Sequence, residues 1–153
     1  MDKLWAPWRV SYIHKKRQKG CIFCRAARDK NGHYVIFKTE HSLAMLNIFP
    51  YNNGHVMVAP IRHVKSLSDF SNEQKLDLFD CVLRVQRLLG KVLKPHGYNI
   101  GINISAEAGA GIPGHLHIHI VPRWKGDTNF MPVVAGTKVI SQSLSQLYKQ
   151  LKR

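Results

Sequence analysis

The sequence predicts an α+β fold, in which a mainly antiparallel sheet is combined with few helices. Two observations lead to this expectation. Three segments rich in β-branched and aromatic residues follow one another, and only then does a long stretch with helical spacing of apolar residues begin. Strands that come in a group, instead of alternating with helices, argue against a parallel βαβ sheet.

The strands are predicted from their composition and from the turns between them. The first group covers residues 33–39, 42–48 and 55–60. Turn-prone residues over 50–54 separate the last two, so a meander of antiparallel neighbours is expected. Two further strands are expected over residues 99–105 and 115–123, joined by a glycine-rich loop over 107–114.

Two helices are predicted from the spacing of apolar side chains. The long helix runs from Asn72 to about Leu93, closed by Pro95 and Gly97, and its repeating apolar residues are Leu76, Phe79, Leu83, Leu88 and Val92. Cys81 falls inside this pattern and is expected to be a small buried apolar residue. A second, amphipathic helix is expected over residues 138–152, with a stripe formed by Val139, Ile140, Leu144, Leu147 and Leu151.

The length and composition are those of an ordinary globular chain. With 153 residues, 44% hydrophobic and 21% charged, the sequence is long enough to bury one hydrophobic core. We expect a single domain over residues 1–153. Its core covers about 21–124, with an N-terminal arm over 1–20 and a C-terminal extension over 125–153.

The cellular setting is read from what the sequence lacks. No apolar run approaches the length needed to cross a bilayer, and the first twenty residues contain no continuous apolar stretch of the kind found in signal peptides. Three cysteines, an odd number, argue against a disulfide framework. We therefore expect a cytoplasmic protein without a membrane partner.

The charge is unusual. Lys and Arg number 23 against 9 Asp and Glu, which gives a formal net charge of +14. A field of this sign attracts polyanions and speeds their capture. On charge alone, nucleotides, nucleic acids and anionic surfaces are all candidate ligands.

Three histidines alternate with apolar residues near the end of the predicted sheet. Because side chains two apart on a strand share a face, His115, His117 and His119 are expected on one face, roughly 7 Å apart. Three imidazoles are poor core material, since each nitrogen needs a polar partner. The pattern indicates either catalysis or a zinc site with three imidazole ligands.

The loop just before the histidines favours catalysis at phosphorus. Gly109, Gly111 and Gly114 allow backbone N–H groups to approach an anion closely, as in amide nests that hold phosphate. A neutral imidazole is a competent nucleophile at neutral pH. A second histidine can donate a hydrogen to the phosphoryl oxygens or to the leaving group.

These residues resemble the signature of the histidine triad family. The matching segments, in family order, are residues 21–24 (CIFC), 46–50 (LNIFP), 54–60 (GHVMVAP), 62–64 (RHV) and 115–121 (HLHIHIV). The resemblance covers roughly residues 21–124. The flanks, residues 4–9 (LWAPWR) and 122–130 (PRWKGDTNF), are similar to the diadenosine polyphosphate phosphorylase branch of the family.

The resemblance implies a homodimer of α+β half-barrel folds, with a nucleotide bound over the sheet. It implies that His117 is the nucleophile and that His119 and His115 support it. Asn47 matches the family position that contacts the ribose, and Asn103 matches a polar position near the phosphates. The three loop glycines, Gly109, Gly111 and Gly114, complete the expected substrate contacts.

A pair of cysteines precedes the first strand. Cys21 and Cys24 have the spacing of two thiolates on one zinc ion, although spacing alone leaves a redox pair as an alternative. In zinc-bearing members of the triad family the other two ligands stand at the positions of His63 and His115. The resemblance therefore implies a structural zinc with four protein ligands, and no organic cofactor is expected.

The expected function is cleavage of a nucleoside phosphoanhydride, such as that of diadenosine tetraphosphate (Ap4A), through a nucleotidyl-His117 intermediate. Inorganic phosphate or water would accept the nucleotidyl group, which makes the chain a nucleotidyltransferase or a hydrolase. One alternative is a non-catalytic nucleotide or nucleic-acid binding module with a structural zinc, favoured by the charge and by Trp5, Trp8 and Trp124. Another is a zinc hydrolase, disfavoured because only Glu107 and Asp127 lie near the triad in sequence.

Overall fold

A computed structural model describes residues 20–29, 34–128, 134, 136 and 139–152. The first half of the chain contains one helix, α1 (Ile22–Arg28), followed by three strands. These are β1 (Val35–Lys38), β2 (Ser42–Leu46) and β3 (Val56–Pro60). A 3₁₀ turn (Leu67–Asp69) leads into α2 (Asn72–Leu93), which is followed by β4 (Gly97–Ile102), β5 (Ile118–Arg123) and α3 (Leu144–Leu151). The predicted α+β class is confirmed.

The five strands form one antiparallel sheet in the order β1-β2-β3-β5-β4. The predicted meander of β1, β2 and β3 is present, and β5 returns from beyond α2 to pair with β3. Strands β2 and β3 are buried along their whole length. Strands that are buried on both faces are apolar along most of their length, without alternation between apolar and polar residues, and both of these strands follow that rule.

The two faces of the sheet carry two separate apolar clusters. On the face covered by α2, the helix buries Leu78, Cys81, Val82, Val85 and Leu89 against strand residues such as Leu46 and Ile120. On the other face, Phe23 and Ala26 of α1 pack on Leu43, Met45 and Met57. Cys81 is fully buried, as predicted.

Helix α2 begins and ends at clear local signals. Ser71 accepts a hydrogen bond from the Gln74 amide, and the Gln74 side chain accepts one from the Ser71 amide, which completes a capping box. The helix ends at Lys94, which adopts a left-handed conformation with φ of 48° just before Pro95. The predicted bounds of this helix are confirmed.

The apolar stripe that identified α2 is divided between two environments. Leu88 and Val92 pack against the core, but Leu76, Phe79 and Leu83 are 65%, 57% and 46% exposed. The helix therefore carries apolar side chains on two faces. Only the face that includes Cys81 and the two valines meets the sheet.

Four predicted elements need correction. No helix is predicted around the two cysteines before the first strand, but this segment is helical over Ile22–Arg28. Strand β5 begins at Ile118 instead of 115, and β4 covers Gly97–Ile102 instead of 99–105. The C-terminal helix starts at Leu144, where Ser143 accepts a hydrogen bond from the Gln146 amide, and Val139 before it is exposed. Local polar caps, instead of the apolar spacing, set this last boundary.

The turn between β2 and β3 depends on a glycine. Gly54 has φ of 77°, and a Cβ added there would lie 2.6 Å from Leu93 Cδ1 and 3.0 Å from Pro122 Cγ. A left-handed φ together with this close approach excludes any other residue without rearrangement. The turn thereby delivers the following residue, His55, to a buried position next to β5.

Two further expectations concern membrane-spanning segments and the ends of the chain. Within the described ranges, no helix combines the length and the apolar character needed to span a bilayer. The N-terminal arm with Trp5 and Trp8, and residues 33 and 138 at the predicted element ends, lie outside the described residues. Trp124 is half-buried.

Candidate active site and metal centre

The three histidines lie on one face of the sheet, although only His119 belongs to strand β5. Leu116, Ile118 and Ile120 point into the cluster beneath α2. His115 and His117 instead meet the ring of Phe23 on the α1 side, with ring centroids 5.1 and 4.8 Å away. The predicted alternation thus continues through the extended residues before the strand, and all three imidazoles are buried.

The orientation of His117 leaves one ring nitrogen available. Its Nδ1 lies 2.8 Å from the carbonyl oxygen of His115, so the neutral ring donates its Nδ1 hydrogen there. Burial lowers the pKa of His117 below its ordinary value. The ring is therefore neutral at pH 7, and Nε2 carries a free lone pair.

A chain of hydrogen bonds assigns the opposite tautomer to His119. The Tyr51 amide donates to Nδ1 of His55 over 3.0 Å, so the neutral His55 ring carries its hydrogen on Nε2. That nitrogen lies 2.9 Å from Nδ1 of His119, which must accept. Neutral His119 consequently carries its hydrogen on Nε2, where it is a donor.

His117 and His119 therefore offer complementary groups side by side. Their ring centroids are 4.8 Å apart and the rings meet edge to face. One ring offers a lone pair and the other an N–H. A nucleophile next to a hydrogen-bond donor is the arrangement that attack on a phosphoryl group requires.

His55 is a site residue that the prediction from sequence left out. It is 1% exposed, and besides His119 it contacts the side-chain amide of Asn47 at 3.3 Å. The Tyr51 ring stacks on His119 at 5.5 Å while staying 49% exposed. The sequence offers one indication of this role: His55 directly precedes the apolar run 56–60, and a histidine that is buried with such a run needs a polar partner.

Two of the expected substrate-contact residues directly follow strands, Asn47 after β2 and Asn103 after β4. Asn47 is buried, and its side-chain oxygen accepts a hydrogen bond from the Phe49 amide. Asn103 directly follows Ile102, the last residue of β4, whose register partner Ile118 directly follows His117.

The glycine loop has a more varied role than its composition suggests. Gly109 has φ of 87° and donates its amide hydrogen to the Ala106 carbonyl within the loop. Gly111 is exposed with open space around its Cα. A Cβ on Gly114 would lie 3.7 Å from His63 Nε2, so this glycine borders the cysteine and histidine cluster.

Cys21, Cys24, His63 and His115 come together from three separate parts of the chain. Nδ1 of His115 lies 3.2 Å from Cys21 Sγ, 3.7 Å from Cys24 Sγ and 3.1 Å from Nδ1 of His63, and Cys24 Sγ lies 3.2 Å from the same His63 nitrogen. All four ligand atoms lie within 4.8 Å of one another. These residues could hold a metal ion.

The donor set and its dimensions fit zinc. Bonds of about 2.0 Å to nitrogen and 2.3 Å to sulfur in a tetrahedron put ligand atoms roughly 3.3–3.8 Å apart, close to the distances found here. His115 Nε2 donates to the Pro60 carbonyl over 2.9 Å, which leaves Nδ1 unprotonated for a metal. Two thiolates and two imidazoles are a usual zinc ligand set.

His119 should titrate far below an ordinary histidine. Burial, with a smaller contribution from neighbouring His117, lowers its pKa to about 4. As the pH falls, the unfolded chain therefore binds the proton before the folded chain does. The contribution of His119 to the free energy of unfolding is constant above about pH 6.5 and is lost as the pH drops from 6.5 toward 4. Imidazole NMR titration measures this directly, and a midpoint near 6.5 would contradict it. His119→Gln should weaken the loss of stability over the same pH window.

Comparison with known proteins agrees with this geometry. The family model described as HIT domain matches residues 28–126. The chain is 36% identical over 155 residues to an AP-4-A phosphorylase of Mycobacterium tuberculosis, covering 94% of this chain and 79% of that protein. It is 41% identical over 96 residues to an asymmetrical bis(5'-nucleosyl)-tetraphosphatase of Schizosaccharomyces pombe, covering 63% of this chain and 52% of that one.

Among solved structures, the crystal structure of a Zn-bound histidine triad family protein from Mycobacterium smegmatis is similar, with a TM-score of 0.69. It is 26% identical in sequence, and the match covers 86% of this chain and 90% of that one. The fold, the alternating histidines and the extent of the family match lead to one conclusion. The chain belongs to the HIT domain family.

Proposed function

We propose that this protein cleaves the phosphoanhydride of a dinucleoside polyphosphate, such as Ap4A, through a covalent nucleotidyl-His117 intermediate. The family and the names of the two relatives support nucleotide hydrolase or nucleotidyltransferase activity. The observation that carries the finer proposal is the pairing of a free Nε2 lone pair on His117 with an Nε2 hydrogen on His119.

In the first step, His117 Nε2 attacks the α-phosphorus. A P–N bond forms while the bond to the bridging oxygen breaks, and the leaving group departs with both electrons of that bond. The ring becomes cationic, and its Nδ1 hydrogen bond to the His115 carbonyl stabilises that charge. His119 Nε2 donates a hydrogen bond to the oxygen on which negative charge develops.

In the second step, an acceptor releases the nucleotide. Water or inorganic phosphate attacks the same phosphorus, the P–N bond breaks, and His117 regains its lone pair, while an attacking water releases its proton to the solvent. We assign Asn47 to the ribose, and Asn103 and the loop with Gly109, Gly111 and Gly114 to the phosphates. Because the amides of Gly109 and Ala110 donate to the carbonyls of Ala106 and Ser105, the amides of Gly111 and Gly114 are the better candidates for phosphate contact.

The acceptor can be identified by incubating the purified protein with Ap4A, with and without inorganic phosphate. We expect ATP and ADP only when phosphate is present, in line with the similarity to an AP-4-A phosphorylase. ATP and AMP without phosphate would identify a hydrolase instead. His117→Asn should lower kcat by at least about a thousandfold, because the covalent step is removed.

A second candidate function is a non-catalytic nucleotide or nucleic-acid binding module, which the net charge of +14 favours. The same variant distinguishes the two functions. If wild-type protein and His117→Asn are equally inactive on Ap4A, yet both bind single-stranded oligonucleotides with a strong salt dependence, the binding module is the better description. The fold would then bind nucleotides or nucleic acids without cleaving them.

We further propose that Cys21, Cys24, His63 and His115 bind one structural zinc ion. The ion would hold the segment before β1 against the segment before β5, and with four protein ligands no position is left for water. The similarity in fold to a Zn-bound family protein supports this choice of metal.

Elemental analysis of the purified protein should find about one zinc per chain. Cys24→Ser should lower both the zinc content and the melting temperature, because one of the four ligands is lost. Cys81→Ala is the matched control, since that thiol belongs to α2 and is buried in the apolar cluster on the other face of the sheet. Wild-type protein without stoichiometric metal would remove the zinc proposal.

We also propose that the protein is a homodimer. Strand β4 is an edge strand with Ile100 46% exposed, and α2 presents an exposed apolar stripe formed by Leu76, Phe79 and Leu83. An open strand edge and an apolar helix face are both surfaces that a second copy can cover, related by a two-fold axis.

Light scattering should give twice the chain mass for the wild-type protein. Phe79→Asp together with Leu83→Asp should give the mass of one chain, because two charges would be buried in the interface without partners. Val139→Asp, at another exposed apolar residue, should leave the dimer intact. A wild-type protein with the mass of one chain at micromolar concentration would contradict the proposal.

A further inference from the structure

His117, the proposed nucleophile, has two neighbours that connect it to the candidate metal centre. The first is the carbonyl oxygen of His115, which accepts the Nδ1 hydrogen of His117 at 2.8 Å. The second is the ring of Phe23, 4.8 Å from the His117 ring. His115 is itself one of the four candidate ligands, and Phe23 lies in sequence between two of the others, Cys21 and Cys24.

His115 connects the two sites through its own atoms. Its ring is held at both nitrogens: Nε2 donates to the Pro60 carbonyl, and Nδ1 faces Cys21 Sγ and His63 Nδ1 at 3.2 and 3.1 Å. Its backbone amide donates to Ile112, and its carbonyl accepts from His117. A side chain anchored at both ends leaves the attached backbone carbonyl little freedom to turn.

Phe23 provides the second connection. It is fully buried and packs on both His115 and His117, with ring planes tilted by 50° and 36°. Helix α1, to which it belongs, has seven residues and no side-chain cap at its N-terminus. A helix this short is not stable by itself, so its placement depends on tertiary contacts, and those of Cys21 with His115 and of Cys24 with His63 are two of them.

We propose that the four-ligand centre positions the nucleophile in addition to stabilising the fold. His115 and Phe23 act as positioning residues: one holds the Nδ1 hydrogen of His117, and the other holds the plane of its ring. Loss of the metal would therefore release the tautomer and orientation of His117 in a chain that is still folded. This inference rests on the proposed role of His117 in catalysis.

A purely structural centre makes a different prediction. In that case metal loss lowers the melting temperature, but the folded protein keeps the same His117 ring and the same kcat. The two roles differ in the state of His117 within the folded protein, which can be observed without any substrate.

The experiment uses the full chain labelled with ¹⁵N in its histidine rings, at constant neutral pH, with the His117 signals assigned by their absence in His117→Asn. Zinc-loaded protein should show His117 as a single tautomer with hydrogen on Nδ1. After a chelator removes zinc at a temperature where backbone amide spectra still show a folded protein, the His117 signals should average between tautomers. Signals that stay those of one Nδ1–H tautomer in the folded, zinc-free protein would overturn the proposal.

Phe23→Leu tests the second connection while all four ligands stay in place. We expect full zinc content and averaged His117 signals, because a ring that is free to turn loses the alignment of its Nδ1 hydrogen bond to the His115 carbonyl. The kcat should fall by about tenfold to a hundredfold with little change in KM, because the attacking atom is misplaced and not removed. A single Nδ1–H tautomer and a wild-type kcat in this variant would also overturn the proposal. Should the zinc-free protein unfold, this variant decides whether the ring of Phe23 positions His117.

Cys81→Ala is the control for loss of a thiol and should keep the zinc, the His117 signals and kcat. The NMR result is independent of the proposed function. If the wild-type protein does not cleave Ap4A, the proposed function fails, whereas the dependence of the His117 tautomer on zinc still supports or contradicts the positioning role.

Discussion

The pairing of β3 with β5 is the constraint on which the rest of the structure depends. Its register joins Val56 to Ile120 and Val58 to Ile118, residues about sixty positions apart in the chain. Because the strands are antiparallel, the start of β3 meets the middle of β5 and the end of β3 meets the segment before β5. One end brings His55 to His119, and the other brings the Pro60 carbonyl to His115. A shift of this register by one residue would separate both pairs and reverse the faces of all the histidines.

The same pairing explains how a strongly basic protein keeps a group of uncharged imidazoles. Burial lowers the pKa of His115, His117 and His119, because a charged ring would lose its hydration without gaining an anionic partner. Neutral rings can hold defined tautomers, and here the hydrogen-bond partners select them. The positive surface attracts an anionic substrate, while the buried rings stay neutral enough to react with it.

The candidate active site and the metal centre share one residue. His115 gives its side chain to the cysteine cluster and its carbonyl to His117, so the alternating histidines do not form three equivalent members of one site. The division follows from position along the chain. His115 stands nearest the thiols of α1, His119 stands beside His55, and His117 between them has the free nitrogen. A strand together with the residues just before it can serve two neighbouring sites, because successive side chains on one face of a strand are displaced by roughly 7 Å.

The sequence by itself determined the features that depend on local spacing. These are the α+β class, the bounds of α2 with its capping residues, and the alternation that puts three histidines on one face. The alternating histidines also identified the HIT family. The resemblance to that family grouped Cys21 and Cys24 with His63 and His115, which do form a single cluster in space. Only the tertiary structure decided which face of α2 is buried, because Leu76 and Phe79 are as apolar as the residues that pack on the sheet. The tertiary structure also decided that the segment containing Phe23 is helical and that His55 forms a hydrogen bond with His119. Each of these depends on contacts between distant segments, whose free energy is not contained in any local stretch of sequence.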